Sequence, residues 1–310
     1  MAKRVDYRNP LTFAHILAAL WVNSCVAYFQ TQISKRIMRQ IFANLLAAPF
    51  VGGALFFLYL SWKDSDNAPG IIPFVLVAGL IWAFAPQINW WWYSRRPPAL
   101  SAGLQNLLER FSGFYRRLDA AGQKRFRDRV ALCMMGTEWM PVAWPDEAVP
   151  PDVQLAIATQ AVTLTFNRPA ILFDKFEKVI VYPLPFPSPE HDYLHASELH
   201  QEDGCLLFSA EQLMPAFFQP GTLYNIGLHE YAKAFVLTYP AEAYPDLSAE
   251  DIWTRLQTIS LMSREHIESV IGMAGVEPLP VAIHHYFTFP EQFRAVLPEK
   301  AVALDRIFKA

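Results

Sequence analysis

Long uncharged runs fill the first third of the chain, and amphipathic segments fill the rest. Ile41 to Trp62 holds no charged residue. At about 1.5 Å per residue such a helix reaches roughly 33 Å, enough to cross a bilayer core. Ile71 to Tyr93 is similar in length and also uncharged, interrupted by Pro73, Pro86, Gln87 and Asn89. It ends in Trp90-Trp91-Trp92-Tyr93 ahead of Arg95 and Arg96, an aromatic belt meeting cationic anchors. An earlier run, Leu11 to Phe29, carries His15, Asn23 and Ser24; it spans, lies in the interface or packs on the other two. His15 and Asn23 are read as satisfying a neighbouring helix. The pattern predicts a membrane region over 1–96, with spans at about 41–62 and 71–93 and a third or interfacial segment at 11–29.

Pro97-Pro98 breaks the chain, and the periodicity changes to that of a water-soluble domain over 98–310. Leu104, Leu107, Leu108, Phe111, Phe114 and Leu118 recur at helical spacing with polar residues opposite them. A second amphipathic stretch surrounds Phe126, Val130, Cys133 and Met134. Asp152 to Phe166 is apolar on nearly every side, which predicts a fully buried helix. Val179–Tyr182 and Cys205–Phe208 read as short strands, separated by a loop with Pro183, Pro185, Pro187 and Pro189. Further helices are expected from about Thr222 to Leu237 and from a capping box at Ser248/Asp251 through roughly Ile271. Pro290 and Pro298 punctuate the last ones. The expected fold is α+β, helix-dominated, with a small sheet, preceded by a transmembrane helical hairpin.

Charge refines this division. Residues 1–96 hold nine Lys/Arg against three Asp, and the remainder holds 17 basic against 26 acidic residues. That balance speaks against nucleic acid as a partner of the second region. Lys35, Arg36 and Arg39 precede one span and Arg95 and Arg96 follow the next, whereas the link Lys63–Gly70 has one Lys and two Asp. The positive-inside rule then places the link outside and the C-terminal domain in the cytoplasm, at an inner or plasma membrane. Lys3, Arg4 and Arg8 also prefer the inside, which a hairpin with an interfacial first segment satisfies better than three full spans. No small-x-small cleavage site marks the first run as a signal peptide. A buried hairpin in a soluble protein is the competing reading, disfavoured because uncharged runs this long are rare in soluble cores. Charged residues are 18% of the chain and aromatics 14%, against about 25% charge in ordinary soluble proteins; disorder is excluded. Three scattered cysteines, Cys25, Cys133 and Cys205, exclude a disulfide scaffold.

One segment carries chemistry. His229-Glu230-Tyr231-Ala232-Lys233 departs by one residue from His-Glu-x-x-His, in which two histidines on one helix face bind zinc and the glutamate activates the metal-bound water. Its lead-in, Asn225-Ile226-Gly227-Leu228, resembles the active helix of the Mlc titration factor A family of zinc peptidases. The resemblance extends in order through Glu138-Trp139, Gln154 to Phe166, Val179 to Pro183 and the edge-strand-like Gly204 to Ser209. Downstream it takes in Tyr286 to Phe293 and Pro298 to Leu304, so that it covers roughly 104–308 and implies a zincin-like domain.

Carried over by position, the resemblance implies a first zinc ligand at His229 and a general base at Glu230. The family's second histidine falls at Lys233, and its glutamate ligand falls at His284. A protonated lysine cannot ligate zinc, and moving its pKa from about 10.4 to near 7 costs roughly 4–5 kcal/mol. His229, His284 and His285 could supply three nitrogens, although adjacent helical residues point about 100° apart. His266 reads as a solvated histidine. His191, His195 and His200, with Asp192, Glu198, Glu202 and Asp203, form either a metal-binding cluster or a polar loop. Cys133 reads as a core residue, and Cys205 has no histidine partner by spacing. Lys233 follows Glu230 at i+3, so its ammonium is expected to pair with that carboxylate; the alternative is that it snorkels to solvent. Two functions follow. One is a membrane-tethered, catalytically impaired family member with no expected cofactor, acting as a binding or regulatory module. The other is an active zinc metallopeptidase with rearranged ligands, acting on cytoplasmic peptides. The expected partners are the lipid bilayer and a protein or peptide. Two or three spans leave little room for a transport pathway.

Overall fold

The computed structural model describes residues 41–309 apart from residue 174. The segment 11–29, Cys25 and the basic residues from Lys3 to Arg39 therefore lie outside the described residues. The chain divides into two compact units, 1–96 and 97–310.

In the first unit, α1 (Ile41–Lys63) is followed by a 3-10 turn (Ser65–Gly70), α2 (Ile71–Ala83) and α3 (Ala85–Arg95). Asp64 caps the turn, accepting the Asp66 N–H at 3.2 Å. The run Ile71–Tyr93 is not one helix. It breaks at Phe84 (φ −99°, ψ 14°), just before Pro86 in the first turn of α3, because proline removes a ladder donor and restricts the residue before it. Phe57 and Phe74 meet across α1 and α2 with ring centroids 5.5 Å apart. Asn89, an interruption in the apolar pattern, has a structural use: its Oδ1 accepts the Ala43 N–H at 3.1 Å and its Nδ2 donates to the Ala85 carbonyl at 2.7 Å. The buried amide thereby ties α3 to α1. Ile41–Lys63 and Ser65–Ala83 are long and apolar enough to cross a membrane, and most of each is exposed. Leu45, Leu55, Phe56, Ile72, Leu76 and Leu80 face outward.

The second unit is helix-dominated around one four-stranded mixed sheet. The strands are β1 (Glu138–Pro141), β2 (Lys178–Tyr182), β3 (Ser197–His200) and β4 (Cys205–Ser209), in the order β1-β2-β4-β3. β1 and β4 pair parallel to β2, and β3 runs antiparallel to β4 with Ser197 opposite Phe208. The segment Gly204–Ser209 is therefore no edge: β4 is interior and buried at every residue, as suits a continuous apolar strand. The edge is β3, whose Ser-Glu-Leu-His sequence carries no β signature.

The helices are α4 (Ala102–Phe111), α5 (Gly113–Arg116), α6 (Ala120–Gly136), α7 (Pro151–Thr165), α8 (Ala210–Phe218), α9 (Ile226–Thr238), α10 (Ile252–Ser260), α11 (Arg264–Ile271), α12 (Pro278–Thr288), α13 (Pro290–Val296) and α14 (Pro298–Phe308). Central α7 packs on α6, α8 and α9 and is buried from Leu155 to Thr165. Each large aliphatic side chain it buries is worth about 1.5–3 kcal/mol. Thr159, Thr163 and Thr165 satisfy their hydroxyls on carbonyls four residues back, at 2.7, 2.8 and 3.0 Å. The stretch expected as one helix to Ile271 is two, because Leu261 takes a left-handed conformation (φ 62°) and Ser263 caps a new start. Ser248 caps neither; α10 begins after Asp251.

Gly272 ends α11 at φ 83°, and a Cβ there would lie 2.6 Å from the His195 Cα. Beside it the Ala196 N–H donates to the Ile271 carbonyl at 2.7 Å, locking the start of β3 to α11. Gly272→Ala should therefore destabilise the protein by about 1–3 kcal/mol. Urea unfolding of the full chain in detergent, followed by tryptophan fluorescence, measures this; an unchanged midpoint would contradict the close approach.

Candidate active site

Helix α9 carries the motif. Asn225 caps it, its Oδ1 accepting the Leu228 N–H at 3.0 Å. Gly227 lets it approach α7 and α8 closely: a Cβ would lie 2.8 Å from Leu213 Cδ1 and 3.2 Å from Gln160 Cγ. His229, Glu230 and Tyr231 are buried as a result.

Glu230 is fully buried and faces two partners. Its Oε1 accepts from Ser197 Oγ on β3 at 2.9 Å. Its Oε2 lies 2.8 Å from Lys233 Nζ, an ion pair set off the hydrogen-bond axis. Lys233 is 31% exposed, so the ammonium joins the buried carboxylate to the surface. Burial alone would push the Glu230 carboxyl up; the charge of Lys233, with His229 and the contacts of Lys233 and Ser197, outweighs it and leaves the group below its usual range.

The histidines gather around Tyr224, a residue that no sequence signal singled out. Its hydroxyl lies 2.7 Å from His229 Nδ1, and its ring stacks on His284 with centroids 4.2 Å apart. His284 and His285 were expected to diverge along α12, yet their Nδ1 atoms meet at 3.1 Å. Nδ1 sits close to its own backbone, so neighbouring rings can tilt together. The Asn225 N–H donates to His284 Nε2 at 3.1 Å, so that nitrogen carries no proton. Burial, followed by the other two histidines, holds His284 well below its ordinary pKa. As a neutral ring it then has its proton on Nδ1 and donates it to His285 Nδ1. His285, pushed down to about 3 chiefly by burial, keeps its proton on Nε2, which is buried without a partner among the described residues. His229 is pushed down to about 4, first by burial, with Glu230 opposing and Lys233 adding.

As placed, these side chains do not offer three ligand atoms to one ion. Lys233 is engaged with Glu230, and both His284 nitrogens are committed. The one group of three or more His, Cys, Asp and Glu ligand atoms lying within 4.8 Å of one another, among the described residues, is Glu190, His191 and Glu198. His266 is exposed. Cys133 and Cys205 are buried, and burial pushes both thiols up to about 11, which leaves them poor nucleophiles.

The family model described as glucose-regulated metallo-peptidase M90 matches residues 89–309. The chain belongs to this family. M90 is a zinc metallopeptidase family, and the match bears out the likeness to Mlc titration factor A. It takes in the whole sheet, the motif helix and α12. No curated protein matches the chain.

Two expectations follow. Lys233→Ala leaves a buried carboxylate without its cation and should cost about 3 kcal/mol, while Lys233→Ala with Glu230→Gln should cost clearly less. Urea unfolding of both variants measures the coupling, and simple additivity would contradict the pairing. The second concerns pH. The three histidines are neutral in the fold but titrate near 6.5 when unfolded, so the unfolded state binds more protons as pH falls. Their contribution is complete above about pH 6.5 and is lost toward about 4 for His229 and about 3 for His285. The urea midpoint should therefore drop between pH 7 and pH 5; a flat profile would contradict the neutral cluster.

Proposed function

We propose that the chain is a membrane-tethered M90-family domain whose motif helix has given up catalytic zinc and works as a binding or regulatory module. The Glu230–Lys233 ion pair carries this reading. A general base for a metal-bound water needs a reachable carboxylate with a pKa near the working pH. Glu230 is fully buried, both its oxygens face partners, and its pKa is shifted down. Lys233 stands where the family has a ligand and brings a positive charge of its own. Three neutral imidazoles around Tyr224 favour a second reading, an active zinc peptidase with rearranged ligands.

The partner in the first reading is a protein or peptide. It docks at a cavity of about 190 Å³ beside the start of α9, lined by Phe111, Arg116, Arg117, Gln160 and Phe217 and by no acidic residue. This lining suits an acidic or C-terminal peptide segment. The hairpin of α1 and α2 holds the domain at an inner or plasma membrane, with Lys63–Gly70 outside and 97–310 cytoplasmic. Its outward apolar faces support the tethering; the basic flanks support the orientation, with Arg95 and Arg96 lying 4.3 and 4.2 Å from the Trp91 and Trp92 rings at the end of α3.

The functional test is whether any zinc bound by the full chain depends on His229. The expected outcome is that His229→Ala leaves the metal content unchanged and that the wild-type chain cleaves no peptide in a mixed library. Lys233→His combined with His284→Glu should then create zinc binding that His229→Ala abolishes. Stoichiometric zinc on the wild-type chain that disappears in His229→Ala would establish the second reading. For topology, a reporter fused after Ala310 should report the cytoplasm, and a cysteine introduced at Ala68 should react with an impermeant maleimide from outside. The reverse labelling would overturn the orientation.

A further inference from the structure

We propose that Glu190, His191 and Glu198 form a separate site for a divalent transition-metal ion of the zinc or manganese type, between the proline-rich loop after β2 and the edge strand β3. Their ligand atoms lie within 4.8 Å of one another. The loop is folded to bring them there. The Ser188 N–H donates to the His191 carbonyl at 2.8 Å, and the His191 N–H returns to Ser188 Oγ at 3.2 Å. Phe186 and His195 exchange both backbone hydrogen bonds, at 3.0 and 3.1 Å. The chain thus doubles back, and residues 190 and 191 come to lie beside Glu198.

Each carboxylate is already oriented by a histidine that is not itself a ligand. The Tyr193 carbonyl faces His195 Nδ1 at 3.1 Å and Glu198 Oε2 faces its Nε2 at 3.0 Å; both oxygens accept, so the ring donates at both nitrogens and pairs as a cation with Glu198. His200 Nδ1 accepts the Asp203 N–H at 3.3 Å, which leaves its Nε2–H to donate to Glu190 Oε1 at 3.0 Å. Partners of this kind fix ligand orientation in metal sites. The second oxygen of each carboxylate and both His191 ring nitrogens make no hydrogen bond among the described residues. Glu198 is only 3% exposed, and His195 holds one of its oxygens, which leaves the other for an ion.

One imidazole and two carboxylates are donors for zinc or manganese, with no thiolate to select a softer ion. Bonds of about 2.0–2.2 Å to each donor imply ligand atoms roughly 3.3 Å apart, a contraction that small side-chain rotations supply. The remaining coordination positions would be taken by water. The site is distinct from the motif helix, because successive residues of a strand face opposite ways: Ser197 turns to Glu230 and Glu198 turns to the loop.

The test is calorimetric titration of the untagged full chain in detergent, stripped with EDTA, with zinc chloride and then manganese chloride. The expected result is one equivalent of zinc, weakened at least about tenfold by His191→Ala and by Glu190→Gln, and unchanged in His229→Ala. These two ligand positions lie outside the buried core, so their variants test binding without the folding risk of Glu198→Gln. Absence of saturable binding, or binding indifferent to both His191→Ala and Glu190→Gln, would overturn the site. Binding lost in His229→Ala would put the ion on the motif helix and overturn both this site and the zinc-free reading of α9, whereas loss of binding in His191→Ala alone leaves that reading intact.

Discussion

A fully buried carboxylate must have a counter-charge, and in this chain Glu230 finds it three residues along its own helix. In a metallopeptidase of this family the charge beside that glutamate is supplied by a dication held by the neighbouring ligands. On the proposed reading, Lys233 stands at the family's second ligand position and supplies that charge as an ammonium. The exchange has consequences on both sides of the helix. A carboxylate paired with lysine and serine is stabilised as an anion and is a weak base. The three histidines of the site contact one another, Tyr224 and the backbone of Asn225.

The scaffold that holds this arrangement is built from two close approaches. Gly227 brings α9 against α7 and α8, which removes water from His229 and Glu230. Gly272 brings the end of α11 against His195, which fixes the start of β3 and with it Ser197 and Glu198. β3 is thus a hinge point between two chemistries, offering a hydroxyl to the motif glutamate on one face and a carboxylate to the loop cluster on the other. The apolar hairpin before Pro97 belongs to a different physical regime, since its large side chains point outward and the buried Asn89 amide ties two of its helices together.

Much of this was legible in the sequence where the pattern was strong. The all-round apolar α7, the continuous apolar strands β2 and β4, the uncharged helices and the family all follow from periodicity, charge and the order of motifs. The polar strand β3 was not legible, because an edge strand of Ser-Glu-Leu-His owes its conformation to pairing with β4. The break at Leu261 was also hidden, for no glycine or proline marks it. Within the site, the i+3 spacing of Glu230 and Lys233 announced that they could meet, whereas Tyr224 and Ser197 reach the motif from a loop and from that unrecognised strand. The contact between His284 and His285 was missed because helical geometry fixes Cβ directions and says nothing of ring tilt. The loop cluster stood out by composition, yet its three ligand atoms converge through a backbone bridge between Phe186 and His195 that no local pattern encodes.

Diffraction at the zinc absorption edge, from crystals of the full chain grown with zinc, tests the exchange of metal for ammonium most directly. The expected anomalous map has no peak within coordinating distance, about 2 Å, of His229, and Lys233 Nζ remains in contact with Glu230. A zinc peak bonded to His229, with Lys233 turned away from Glu230, would contradict it.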